Sequence, residues 1–278
     1  MLHKDIPIQV EGSQDYARLT TYIQNNYEGI ELTMPPRPLV ILCPGGGYQH
    51  LSNREAEILA TQFLAMGYHA AVLWYSVHPA KYPTALTELA TAVLTVRQHA
   101  EEWYVNPEQI FVLGCSAGGH LAASMGILWQ ERFLGEALGL SESEQKLIRP
   151  DGMILSYPVI TSGEFAHRGS FQHLLGEKEA ELGASLSLEN RVTDQTPPAF
   201  IWHTFADGSV PVENSLLLAS SLRRAGVPFE LHIYPEGVHG LALGNRLTRV
   251  GGTGRQDEVN SWISLVHTWV EKQFVKID

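Results

Sequence analysis

Ile110-Phe-Val-Leu-Gly-Cys-Ser-Ala-Gly-Gly-His-Leu-Ala-Ala-Ser124 is the stretch whose reading decides the fold. It opens with an apolar, partly β-branched run, Ile110 to Leu113, which predicts a buried strand. From Ala117 onward, Leu121, Met125 and Leu128 fall on one helical stripe. Between the two lies Gly114-Cys115-Ser116-Ala117-Gly118, the pattern G-x-S-x-G on a strand-to-helix turn. A side chain held up on so tight a turn needs neighbours without Cβ, and both glycines give that room. A helix starting at Ala117 aims its free first-turn N–H groups at whatever lies above Ser116. The pattern alone recurs by chance in glycine-rich chains; the strand before it and the helix after it give it weight.

Outward from this turn the chain alternates strands and helices. Residues 6–10 and 17–23 read as two short antiparallel strands, since a short connection suffices for such a pair. Residues 38–43 form a continuous apolar run, as a strand buried on both faces does, and lead into Pro44-Gly-Gly-Gly-Tyr48. Residues 53–66 predict an amphipathic helix with Ser52 or Asn53 as cap, Glu55 and Glu57 in the first turn and Gly67 as stop. A strand at 69–75 follows, then a helix from Pro83 at its first position to about residue 103. Strands at 152–155, 199–205 and 229–234 and helices at 212–225 and 259–274 complete the pattern. Such alternation implies an α/β fold, a mostly parallel sheet with helices on both faces. No linker, repeat or low-complexity run divides it, so residues 1–278 read as a single domain. Ligands of these sheets bind at the carboxyl ends of the strands. Residues 161–195 break the rhythm. They are rich in Gly, Ser, Glu and His, with one short helix at 177–182, and predict a small lid-like or cap insertion at the active edge.

The 278-residue chain has 19 Lys+Arg against 30 Asp+Glu, a formal net charge of −11. An acidic surface without a basic cluster argues against nucleic acid and anionic membrane as partners. No stretch approaches the roughly 18 apolar residues of a membrane span, and the N-terminus lacks a signal-peptide core. The expectation is a soluble, cytoplasmic protein. Cys43 and Cys115 fall at strand ends and read as reduced and structural. Self-association through 229–234 and 259–274 stays open.

A serine hydroxyl is a poor nucleophile at neutral pH and needs a base within hydrogen-bond reach. That base is usually a histidine held in one tautomer by a carboxylate. Of twelve histidines, His239 fits best: it sits in Glu236-Gly-Val-His-Gly240, a glycine-flanked loop just past the strand ending at Tyr234. His120, one turn beyond Ser116, reads as a packing or supporting residue. His203 lies inside a strand and reads as a hydrogen-bonded core histidine, and His232 alternates on the last strand. For the acid, Asp207 follows a strand and precedes a helix. Asp194 and Glu213 are the alternatives, Asp194 lying before its strand and so at the wrong edge. Asp207 is also well placed to be a turn residue only. A tetrahedral intermediate needs donors for its oxyanion; Ala117 N–H and the glycines at 46 and 47 offer them, in a backbone free to curl inward. A phosphate-cradling reading of Gly45-Gly-Gly47 fails because position 50 is His50 and no G-K-[ST] follows. There is no H-E-x-x-H and no Cys/His quartet, so neither a metal nor another cofactor is expected. Tyr48, Trp74 and Tyr75 are candidate walls of the acyl pocket, and His50 and His78 candidate lining on the alcohol side.

These residues carry a family resemblance. Pro44-Gly-Gly-Gly-Tyr48, Gly114-Cys-Ser-Ala-Gly-Gly-His120, Thr196-Pro-Pro-Ala-Phe-Ile-Trp-His203 with Asp207-Gly-Ser-Val-Pro211, and Gly237-Val-His-Gly-Leu241 resemble the α/β-hydrolase carboxylesterases. The resemblance is greatest to the acetyl-xylan/feruloyl-esterase-like and hormone-sensitive-lipase-like branches. It runs from about residue 38 to the C-terminus. It implies Ser116 as nucleophile, Asp207 as orienting acid, His239 as base, and Gly46, Gly47 and Ala117 as oxyanion donors. Position 44 is proline where hormone-sensitive-lipase relatives carry histidine, and their large N-terminal cap has no counterpart here. The reading is therefore a serine esterase of short-chain, acetyl-type esters, acetylated sugars or aryl esters among them. Its rivals are a serine peptidase of the prolyl-oligopeptidase type and a hydrolase-fold binding protein without activity.

Overall fold

A computed structural model of the chain describes residues 1–26, 35–249 and 256–274. Eight strands form one sheet: β1 (Leu2–Pro7), β2 (Arg18–Ile23), β3 (Arg37–Cys43), β4 (His69–Trp74), β5 (Val105–Cys115), β6 (Gly152–Ser156), β7 (Ala199–Thr204) and β8 (Phe229–Tyr234). Their order is β1-β2-β4-β3-β5-β6-β7-β8. β1 and β2 are antiparallel to their neighbours, and every pair from β4 to β8 is parallel. This is the α/β-hydrolase fold expected.

The apolar runs are continuous because each inner strand is covered twice. Leu39, Ile41, Ile110 and Val112 pack into one core, with Leu89 and Val93 of α2 (Thr84–Gln98), Leu121 and Met125 of α3 (Ala117–Leu128) and Leu218 and Leu222 of α7 (Glu213–Ala225). The intervening Val40, Leu42, Phe111 and Leu113 pack into the other, with Leu59 and Phe63 of α1 (Glu57–Ala65) and Trp262, Val266 and Trp269 of α8 (Trp262–Phe274). Successive side chains on a strand point to opposite faces, so a strand between two helical layers must be apolar throughout. All twelve residues of α3 are buried, which is why its sequence is small and apolar rather than amphipathic.

Several boundaries move. The first strand is Leu2–Pro7, not 6–10, because the chain turns at Gly12 (φ +84°) and pairs Leu2 with Ile23. Polar alternation on this exposed edge hides the strand. The helix expected at 53–66 is interrupted: Asn53–Glu55 is one 3₁₀ turn, and α1 begins only after Ala56 (φ −104°, ψ −110°). Helix α2 starts after Pro83, not on it, and ends at Gln98, because β5 begins early at Val105 with a register shift between Arg37 and Leu39.

The insertion holds more helix than expected. Besides α4 (Arg132–Ala137) before β6, the segment between β6 and β7 contains α5 (Arg168–Leu175) and α6 (Glu179–Leu182). It is stitched to the body. Asn214 of α7 accepts from the Ile160 and Thr161 N–H groups (2.9 and 3.1 Å) and donates to Phe165 O, and Leu186 O accepts from His120.

Candidate active site

β5 ends at Cys115 and α3 begins at Ala117, which isolates Ser116 at φ 56°, ψ −121°. A residue with a Cβ is strained there. The backbone overdetermines it: Ser116 N–H donates to Ser156 O (3.0 Å), and its carbonyl accepts from Val159 and His120 N–H (3.0 and 3.1 Å). A Cβ on Gly118 would lie 2.1 Å from Cys43 O, so only glycine lets α3 press against the end of β3. Both thiols, Cys43 and Cys115, are free and buried.

Above the turn, three side chains from three strand ends join. Ser116 Oγ donates to His239 Nε2 at 2.7 Å, and His239 Nδ1 donates to Asp207 Oδ2 at 2.6 Å. Asp207 lies past β7, and its other oxygen accepts from the Ser209 and Val210 N–H groups at 2.9 and 3.0 Å. It is thus both turn residue and partner of His239. His203 Nε2 also approaches Oδ2 at 3.3 Å. Burial works to raise the Asp207 pKa, but the hydrogen bonds from His203 and His239 outweigh it and hold the carboxyl well below its usual range. Asp207 therefore stays ionised and fixes the Nδ1–H tautomer of His239. A hydroxyl facing the unprotonated nitrogen of an oriented imidazole is the arrangement by which a serine is activated for attack.

The glycine loop after β3 faces the same point. Gly46 has φ +133° and Gly47 φ +65°, and Gly46 O closes a turn by accepting from Gln49 and His50 N–H. Tyr75 Oη donates to Pro44 O at 2.6 Å, and His78 N–H to Tyr48 O at 2.8 Å, so the loop after β4 clamps the loop after β3.

The other pocket candidates divide. Tyr48 is buried, and its hydroxyl donates to His120 Nδ1 at 3.0 Å; His120 Nε2–H is committed to Leu186 O at 3.0 Å. Burial lowers the His120 pKa to about 4 and raises that of Tyr48 far above its usual range, so both stay neutral. Behind Tyr48, the gap bounded by Tyr82, Leu86, His120, Leu121 and Leu174 measures about 10 Å³. Tyr75 braces the loop from behind. Trp74 is not brought to the site: its indole donates to Thr20 Oγ1 (3.0 Å) and lies under Arg18, on the β2 side of β4, while β3 separates β4 from β5. His50 and His78 are exposed, and the His78 ring sits 5.7 Å from that of His173.

The sequence reading missed other parts. Glu55 was expected in the first turn of one unbroken helix over 53–66. The break at Ala56 instead turns it inward to 2% exposure, where Oε2 accepts from Gly45 N–H (2.8 Å) and Oε1 from Tyr157 Oη (2.7 Å). Tyr157, just past β6, also accepts from Ala242 N–H (3.0 Å), and its ring lies edge-on 5.0 Å from His239. Arg54 donates to Gly240 O at 2.7 Å. The insertion sends His167, Ser170 and His173 to the glycine loop: His173 Nδ1 donates to Gly47 O at 2.9 Å, and His167 lies across from Gly47. Burial lowers the His167 pKa, with His239 and His173 adding to the effect and Asp207 opposing it. Among the described residues no cluster of His, Cys, Asp or Glu is arranged to hold a metal ion, and no helix is long and apolar enough to cross a membrane.

Comparison with known proteins agrees with this architecture. The BD-FAE family model matches residues 31–222. Endo-1,4-beta-xylanase B of Butyrivibrio fibrisolvens is 35% identical over 84% of this chain and 37% of its own length. Acetylxylan esterase of Xylanibacter ruminicola is 31% identical over 76% of this chain and 42% of its own. The chain thus spans less than half the length of these relatives. Among solved structures, the acetyl ester-xyloside bifunctional hydrolase of Caldicellulosiruptor lactoaceticus superposes with a TM-score of 0.83 at 36% identity, covering 98% of this chain and 97% of that one. The carboxylesterase Cest-2923 of Lactobacillus plantarum does so at 0.82 and 28% identity over the full length of both. The chain belongs to the BD-FAE family, on the α/β-hydrolase fold of the carboxylesterases.

Proposed function

We propose that this protein is a serine carboxylesterase that cleaves short-chain, acetyl-type esters, acetylated sugars among them. The observation that carries the reading is the hydrogen-bonded run from Ser116 through His239 to the ionised Asp207. In this reading Ser116 Oγ attacks the ester carbonyl while His239 Nε2 takes its proton. The negative charge on the tetrahedral oxygen falls to the N–H groups of Gly46, Gly47 and Ala117. His239 returns the proton to the departing alcohol, leaving an acyl-Ser116. Water, deprotonated by His239, then releases the acid. Asp207 keeps Nδ1 protonated and balances the imidazolium. The acetyl preference is supported by the filled space behind Tyr48 and by relatives named as acetylxylan esterase and acetyl ester-xyloside hydrolase.

The test is labelling by a fluorophosphonate, read by intact mass and peptide mapping, alongside hydrolysis of 4-nitrophenyl acetate. One adduct on Ser116 with loss of hydrolysis is the expected result. Hydrolysis that survives full labelling would remove Ser116 from its role.

A further inference from the structure

The insertion carries a histidine whose tautomer is fixed by the fold. His167 caps α5: its Nδ1 accepts from the Ser170 N–H at 3.3 Å and from Ser170 Oγ–H at 2.8 Å. A ring nitrogen that accepts a backbone N–H carries no proton, so the proton of the neutral ring sits on Nε2. The ring atom next to Nε2, Cε1, lies 4.0 Å from where a Cβ on Gly47 would stand, so this N–H donor flanks the glycine loop. Across the same glycine, His173 Nδ1–H is spent on Gly47 O, which leaves its Nε2 as an acceptor. A donor and an acceptor thus flank Gly47 of the glycine loop, both supplied by one short segment and both held by hydrogen bonds to backbone.

We infer that His167 is a substrate-binding residue of the alcohol side, its Nε2–H donating to a hydroxyl or ring oxygen of a polyhydroxylated leaving group. The inference rests on the esterase reading above. An acetyl ester offers few oxygens. Its carbonyl oxygen meets the backbone donors of the loop, and its methyl group accepts nothing. The remaining acceptors belong to the alcohol. A sugar hydroxyl both donates and accepts, and so matches the His167–His173 pair in a way that a simple alkyl alcohol does not. The neutral state that this role needs is favoured by the burial that lowers the His167 pKa.

The experiment compares wild type with His167→Asn and His167→Gln on two substrates, a mono-acetylated methyl xyloside and ethyl acetate. Asparagine is a favoured helix cap, so His167→Asn retains the cap on α5 but withdraws the Nε2–H donor from the glycine loop. Glutamine carries the donor further out and loses the cap. The expected result for His167→Asn is a loss of kcat/KM on the xyloside about ten times larger than on ethyl acetate, carried mostly by KM, the scale of one hydrogen bond. His167→Gln should recover part of the difference. Equal losses on both esters, or no loss on either, would overturn the role of His167 while leaving the esterase reading in place. Wild-type protein inert towards both esters would overturn the esterase reading, and this inference with it.

Discussion

Glu55 and Tyr157, 102 positions apart, are joined by a 2.7 Å hydrogen bond in which the phenol donates to a fully enclosed carboxylate. The same carboxylate takes Gly45 N–H, and the same phenol oxygen takes Ala242 N–H. One four-membered chain therefore ties the glycine loop to the loop that carries His239. Glu55→Gln preserves the volume but offers one acceptor where two are needed. The expected outcome is a fall in kcat of about tenfold or more, with destabilisation of about 1–3 kcal/mol from the donor left unpaired. Tyr157→Phe should act in the same direction, and the double variant should lose less than the sum. Steady-state kinetics and urea unfolding of the three variants check this; strict additivity would mean that the two loops are not coupled through the pair.

Ser116 at φ 56° is held in a conformation that costs about 1–3 kcal/mol for a residue with a Cβ. Ser116→Gly should abolish turnover yet raise the urea midpoint, because glycine occupies that region freely. Ser116→Ala should lose kcat on the scale of roughly 10⁶ with no such gain in stability. A glycine variant less stable than the alanine one would refute the strain argument.

Asp207→Asn should lower kcat by about 10⁴-fold through the wrong imidazole tautomer, while Asp194→Asn should leave it within a few-fold. A pH signature accompanies the first. The folded-state pKa of Asp207 lies below its unfolded value, so its carboxylate contributes stability that is complete above the unfolded range near about 4 and is lost as pH falls towards the folded value. The stability difference between wild type and Asp207→Asn should be largest at neutral pH and shrink as pH falls below about 4. Denaturation at a series of pH values reads it directly; a difference that grows in acid would have the wrong sign.

Acyl length gives a further check. The space behind Tyr48 is filled, and its hydroxyl is held by His120. Each added methylene would find strain in place of the usual gain of about 0.8 kcal/mol. Across acetate, butyrate, octanoate and laurate esters of one alcohol, kcat/KM should peak at acetate. A maximum at octanoate would show that the wall yields.

The sheet and the meeting of Ser116, His239 and Asp207 were legible because β5 and β7, before Ser116 and Asp207, are largely apolar runs, β8, before His239, alternates apolar and polar residues, and parallel sheets gather such ends at one edge. Glu55 was not legible. Its meaning depends on a backbone break at Ala56, and a glutamate ahead of an amphipathic run looks like an ordinary first-turn residue. Trp74 was misread because its position at the end of β4 said nothing of which way it leans; Arg18 and Thr20 on β2 decide that. His203 was read as a core histidine satisfied by hydrogen bonds, which Ser215 and Val210 supply. Its approach to Asp207, four residues on, was hidden by the strand-end turn between them. His167 and His173 were lost in a segment whose periodicity is too short to announce α5.

The bond from Arg54 to Gly240 closes a span of 186 residues, and the one from Ser116 to His239 a span of 123. No fragment of the chain that stops short of β8 can bring His239 over Ser116. During synthesis Ser116 and His239 therefore meet only after β8 has emerged and docked on β7, the slow, non-local kind of event in folding. On the esterase reading proposed above, topology alone keeps Ser116 from being activated before that docking.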